Sequence, residues 1–218
     1  IQSVNLSKNL NSADEMSFTV SKYKMLAINN NNKLLDKETY LKEQMALWDQ
    51  IIDLKLIWVK ELNEYFQITV SLDDSSDVLK NITATSLCEA ELGQTMLYNT
   101  EINTENDIAR DDYDSNYPTI FYREDHPEAS LLHRVLEKAP HYKIKYVDDS
   151  LKKLSFIRQF TIDGTSIYDF LTGECSEQYN CLFVFDSADR SISAYDLYTT
   201  CNKCGYRGDY YDECPECG

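Results

Sequence analysis

The last eighteen residues constrain this chain more than any other stretch: Cys201-Asn202-Lys203-Cys204-Gly205 and Cys214-Pro215-Glu216-Cys217-Gly218 enclose the segment from Tyr206 to Glu213. Two thiolates three positions apart can bind one metal from a single tight turn. A glycine after the second of them tolerates positive φ, so backbone N–H groups can turn toward the sulfurs. Two such turns supply four ligands, and the spacing predicts a structural Zn²⁺ held by Cys201, Cys204, Cys214 and Cys217 in a zinc ribbon. The nine residues between Cys204 and Cys214 are a short interval that still suffices for a minimal hairpin. With four protein ligands the metal has no open position at which to activate water. Its expected role is to close a segment too small to hold itself together. Two disulfides are the rival reading, disfavoured because Ile1-Gln2-Ser3-Val4-Asn5 has neither the basic nor the apolar part of a secretory signal. A thioredoxin-type site is disfavoured too, since it needs one such pair opening a helix.

Charge narrows the partners. Lys+Arg number 21 against 37 Asp+Glu, a net charge of −16, and such a chain repels a polyanion at long range. Within the ribbon, Lys203 and Arg207 face Asp209, Asp212, Glu213 and Glu216. A zinc-ribbon nucleic-acid-binding protein is therefore a secondary reading. At 43% hydrophobic residues the chain can bury a sizeable core. No run approaches the ~18 apolar residues of a membrane span. The chain begins without Met and stops directly after a Cys motif, which suggests a piece of something longer.

Periodicity gives the elements. Phe66, Ile68, Val70 and Leu72 alternate with Gln67, Thr69 and Ser71, a strand with one buried face, and Leu54 to Lys60 pairs with it as a hairpin. Residues 17–21 and 81–85 are further strands, completing a meander or small barrel. Leu41, Met45, Trp48 and Ile52 recur at helical steps after a loop at Asn29 to Asn32. An acidic stretch with Glu105, Asp107, Asp111, Asp112 and Asp114 marks a linker. Beyond it a helix begins at Asp125-His126-Pro127-Glu128, buries Leu131, Leu132, Val135, Leu136 and Ala139, and stops at Pro140. A second helix is capped by Ser166 with Asp169 and buries Ile167, Phe170, Leu171 and Cys175. Strands at 155–162, 181–185 and 192–197 flank it. The expectation is an α+β chain: a β-rich, barrel-like domain over 1–110, an α+β domain over 111–198 and the ribbon over 199–218.

Other candidates carry less chemistry. Cys88, Cys175 and Cys181 read as small buried hydrophobes. His133 reads as a satisfied helical histidine, and His126 and His141 have no partner visible in sequence. A hydrolase reading would need one of them beside a carboxylate or Cys175 in a polar cleft. No catalytic residue is assigned. Asp112-Tyr113-Asp114-Ser115-Asn116 matches the first half of a calcium loop, but Tyr117 and Arg123 stand where Gly and Glu belong. It reads as a solvated acidic loop. Tyr195, Tyr198, Tyr206, Tyr210 and Tyr211 read as packing residues of strands and ribbon.

The run Glu101-Ile102-Asn103-Thr104-Glu105-Asn106-Asp107-Ile108-Ala109-Arg110-Asp111-Asp112-Tyr113, followed by Ser130-Leu131-Leu132-His133-Arg134-Val135-Leu136-Glu137-Lys138-Ala139-Pro140-His141-Tyr142, resembles the amino-terminal structural region of phage minor structural proteins. These are tail hub or tail-associated lysin proteins of prophages from low-GC Gram-positive bacteria. Asp163 to Leu171, Leu182 to Asp186 and the Cys-x-x-Cys-Gly ribbon fit the same family. The resemblance implies a virion component made in the bacterial host cytoplasm and similar to baseplate hubs, whose barrel-like and α+β domains surround the tail axis as trimers. It also implies contacts with the distal tail protein, the tape measure and tip proteins. Any lytic or receptor-binding module would lie beyond Gly218, so this segment is expected not to be an enzyme.

Overall fold

The alternation from Phe66 onward folds as β4 (Glu64–Leu72), which pairs antiparallel with β3 (Leu56–Val59), Trp58 opposite Tyr65 and Leu56 opposite Gln67. The hairpin turn is tight because Asn63 takes φ 55°, a left-handed conformation that Asn tolerates. In this computed structural model the described residues are 4–8, 14–21, 48–72, 79–110, 112–201, 203–208 and 214–217, with backbone alone at 21 and 70–72. They fall into two compact units, one up to Ala90 and one from Glu91 onward.

The first unit is a five-stranded antiparallel sheet that adds β1 (Val4–Ser7), β2 (Glu15–Ser21) and β5 (Leu79–Ser86) to the hairpin, in the order β1-β2-β5-β4-β3. Register sets Ile68, Ala84 and Met16 in one row, and with Phe66 and Ile82 they form the buried face. Phe18, Ile57, Val59 and Leu62 pack against it. The expected barrel does not close among the described residues. The two outer strands have four residues each and sit at different levels: β1 runs level with Gln67–Val70 of β4, and β3 with Glu64–Gln67. As the edges of five successive antiparallel strands they also run in the same direction, so they could not complete an all-antiparallel barrel. The sheet stays open, with Val4 and Leu6 of β1 exposed.

Of the helix expected through Leu41, Met45, Trp48 and Ile52, residues 48–50 are helical and Trp48 is buried, whereas Ile52 lies past the helix end and is exposed, so it does not share that buried face; Leu41, Met45 and the Asn29–Asn32 loop lie outside the described residues. The end of that turn is capped from the sheet. Lys80 Nζ donates to the carbonyls of Trp48 (2.8 Å) and Ile51 (2.9 Å) and sits 4.5 Å from the centre of the Trp48 ring. A buried lysine is tolerable when its head is spent on helix-end carbonyls and a ring face.

The second unit is α+β. Its main sheet has the order β11-β12-β8: β11 (Cys181–Asp186) and β12 (Ser191–Asp196) form an antiparallel hairpin, and β8 (Lys143–Val147) adds parallel to β12. Two short antiparallel pairs accompany it, β6 (Met96–Leu97) with β10 (Thr165–Ser166) and β7 (Thr100–Ile102) with β9 (Phe160–Ile162). The helix Ile167–Phe170 begins as expected: Ser166 is extended, and its hydroxyl accepts the Asp169 N–H at 3.0 Å and donates to the Asp169 carboxylate at 2.6 Å. A π-turn, Leu171–Cys175, carries it into Ser176–Tyr179, where Asn180 at φ 49° ends it. Ile167, Phe170, Leu171 and Cys175 are buried.

Two expectations need correction. The helix expected from Asp125 is broken: Pro127–Ala129 forms a 3₁₀ turn, and α-helix resumes only at Leu131–Leu136. Between them Ser130 is extended and bridges Ile120, whose N–H and C=O engage Ala129 and Leu131, so the backbone bonds that would continue a helix go sideways. Leu131, Leu132, Val135, Leu136 and Ala139 are nonetheless buried. The strand expected over 155–162 shortens to Phe160–Ile162, because Phe156 and Ile157 are consecutive exposed residues with no alternating face.

Candidate metal centre

The first Cys-x-x-Cys lies in the turn of a small hairpin. β13 (Thr199–Thr200) pairs antiparallel with β14 (Arg207–Gly208), Thr199 opposite Gly208. Between them the Cys201 N–H donates to the Tyr206 carbonyl at 2.7 Å, and the Gly205 N–H donates to the Cys201 carbonyl at 2.9 Å. Gly205 takes φ +77°, the conformation anticipated for a glycine after the second cysteine. Cys214–Cys217 forms a second turn. The intervening residues 209–213 and Gly218 lie outside the described residues, and with them Tyr210 and Tyr211.

The four sulfurs of Cys201, Cys204, Cys214 and Cys217 all lie within 4.8 Å of one another. Cys201 Sγ and Cys217 Sγ are 3.5 Å apart, as are Cys204 Sγ and Cys214 Sγ. A tetrahedral site with Zn–S bonds of about 2.3 Å has sulfur–sulfur edges of about 3.8 Å. The donor set therefore matches a tetrahedral thiolate ion in number, chemistry and spacing. It does not match disulfides as it stands, because bonded sulfurs sit at about 2.05 Å whereas the paired sulfurs here are 3.5 Å apart.

Electrostatics favour a cation here. The backbone N–H groups of Cys204 and Lys203 hold the Cys201 thiol down to about 6, while the hydrogen bond with Cys201 leads the effects that push Cys217 up to about 12. The first thiolate thus forms easily, and its charge opposes the next. A divalent cation removes that opposition, so metal uptake would be accompanied by proton release.

Arg207 ties the hairpin to the α+β unit. Its guanidinium donates to Asp196 from Nε (2.5 Å) and Nη2 (2.7 Å) and to the Tyr179 carbonyl (2.8 Å), and it stacks 4.7 Å from the centre of the Tyr198 ring. One of the ribbon's two basic residues is therefore committed to an internal carboxylate. Tyr195 and Tyr198 are more than a third exposed, so the expectation that they serve as packing residues does not hold for them; Tyr195 instead stacks on Tyr146 at 5.2 Å.

The other candidates separate. Cys88, Cys175 and Cys181 are buried, and burial pushes Cys175 well above its ordinary value and Cys181 up to about 12, so these are unreactive thiols. His126 and His141 do meet carboxylates, His126 Nδ1 at 2.9 Å from Glu128 and His141 Nε2 at 3.7 Å from Glu91, while neither contacts a cysteine among the described residues. His126 also stacks on Tyr117, and Glu91 is already bonded by Arg190 and Tyr142. His133 is half-buried, bonds the buried Ser130 Oγ at 2.9 Å and stacks on Tyr122; burial lowers its pKa. In the acidic loop, Asp112 accepts from Arg110, and Asp114 accepts from the Asn116 backbone and side chain. Those oxygens are already used locally.

Two polar clusters had no sequence signal beyond residue type. Arg134 donates at 2.9 Å to both oxygens of buried Asp107, to Thr119 Oγ1 and to the Glu101 carbonyl. Asn103, at φ 54°, adds its N–H to Asp107 at 2.7 Å. Elsewhere Glu91 accepts a bidentate pair from Arg190 (2.8 and 2.9 Å) and the Tyr142 hydroxyl at 2.8 Å. Both clusters join segments far apart in sequence.

No protein-family model matches the chain, and no curated protein matches it significantly. Among solved structures, prophage tail protein gp18 from Listeria monocytogenes EGD-e is similar, with a TM-score of 0.49 and 12% identity over 88% of this chain and 43% of that one. The chain spans less than half the length of that protein, and a likeness at this level carries no argument about activity.

Proposed function

We propose that this chain is a structural component of a phage tail, a hub-like subunit at the tail tip or baseplate, whose Cys201, Cys204, Cys214 and Cys217 hold a structural Zn²⁺. The observation that carries the metal assignment is the convergence of four thiols within 4.8 Å from two knuckle turns. The tail assignment rests on the sequence resemblance through 101–113, 130–142, 163–171 and 182–186. In this reading the ion stabilises and does not catalyse, because four thiolates leave it no open position. The polar clusters at Asp107 and Glu91 are spent on internal contacts, which suits a part that docks with the distal tail protein, the tape measure and tip proteins, and with two further copies of itself. Its place is the virion, after synthesis in the host cytoplasm.

Two measurements test the reading separately. Elemental analysis of chain purified without added metal should give one zinc per chain, and absence of bound metal would remove the ribbon. Antibodies against the chain should label the tail tip of particles induced from the encoding bacterium. Particles that carry no label would remove the tail role whatever the metal content.

A further inference from the structure

Two pairs of sulfurs 3.5 Å apart join one knuckle to the other: Cys201 with Cys217, and Cys204 with Cys214. Each pair also sets a cysteine of low exposure beside an exposed one, Cys201 (9%) and Cys214 (7%) against Cys204 and Cys217. An oxidant therefore meets an exposed cysteine that has a resolving thiol 3.5 Å away across the site. We propose that this centre has a second closed state, in which peroxide expels the metal and leaves two nested disulfides, Cys201–Cys217 and Cys204–Cys214. The inference rests on the zinc reading for its starting state.

The chemistry balances with hydrogen peroxide as oxidant. The Cys217 thiolate attacks one peroxide oxygen; an S–O bond forms, the O–O bond breaks and hydroxide leaves as water. The Cys201 thiolate then attacks the Cys217 sulfur, forming the S–S bond and expelling the sulfenic oxygen as a second water after protonation. Cys204 and Cys214 consume a second peroxide in the same way. Four thiolates give up four electrons, two peroxides take them, and Zn²⁺ is released with no remaining ligand. Bonds across the site would keep the two knuckles together as the ion does. Bonds within each Cys-x-x-Cys would leave the knuckles unlinked, so the pairing decides whether the segment stays closed.

The test uses the full chain, zinc-loaded and reduced, with metal content measured first. Addition of two equivalents of hydrogen peroxide beside a zinc-sensitive dye should release one zinc per chain. Trypsin, cutting after Lys203 and Arg207, together with a glutamate-specific protease cutting after Glu216, places the four cysteines on separate peptides. Non-reducing mass spectrometry should then show Cys201 linked to Cys217 and Cys204 to Cys214. Cys217→Ser should retain the Cys204–Cys214 link and lose the other. Links within each Cys-x-x-Cys, or thiols left unlinked after zinc release, would overturn the proposal. A chain that arrives without zinc would refute the metal reading instead, and the same linkage map on the reduced apo chain would still decide the pairing.

Discussion

Asp107 shows what single residues contribute here. Its carboxylate is almost wholly enclosed, a condition that raises a carboxyl's pKa, yet the Arg134 guanidinium and the Asn103 N–H outweigh burial and hold it below the ordinary value. Arg134→Leu would leave that charge buried without its partner, a change expected to cost about 3–5 kcal/mol. Because the folded value lies below the unfolded one, near 4, the pair's stabilisation is complete above that pH and is lost as pH falls below it. Urea midpoints of the two proteins should therefore differ widely at pH 7 and draw together at pH 3. A gap independent of pH would mean that Arg134 acts through packing alone. Neither Asp107 nor Arg134 stood out in sequence as a pair: 27 positions separate them, and their meeting depends on the Asn103 turn and on Thr119, which no local pattern announces.

At the scale of elements, the sequence was legible where the signal is local. Alternation marked the β3–β4 hairpin, and the Ser166/Asp169 spacing marked the cap that starts the Ile167 helix. Ser166→Ala should cost about 1 kcal/mol, seen as a fall of about 2–4 °C in the melting temperature, while Ser166→Asp should retain most of it. The signal failed where a backbone bridge from another segment competes. Asp125 to Ala139 reads as one helix, and only the bridge from Ile120 to Ser130 shows why it is two pieces. The β13–β14 hairpin depends on such a remote tie as well, through Arg207 to Asp196 and the Tyr179 carbonyl. Arg207→Ala removes no ligand, yet groups that orient a metal site typically change its affinity about 10–100-fold. A chelator competition should find zinc bound at least about tenfold more weakly in that variant. Unchanged affinity would make the tie irrelevant to the metal.

For the whole molecule, the spacing of two Cys-x-x-Cys pairs pointed to four sulfurs that the fold brings within 4.8 Å of one another, because all four come from one short segment. That the described strands form an open sheet was not legible, since closure depends on which strands become the edges and which way they run, and strand patterns carry neither. The same locality decides what metal removal does. The ligands are confined to residues 201–217, whereas the buried side chains of the five-stranded sheet and of the β11-β12-β8 unit come from elsewhere in the chain. Chelation, or Cys204→Ser, should therefore open the ribbon and leave both cores standing. Trypsin would cut faster after Lys203 and Arg207, far-UV circular dichroism would change little, and the main cooperative melt would persist. If the entire fold is lost with the ion, the four cysteines support more than the segment that contains them, and the chain's interior must depend on that closure in a way its packing does not show.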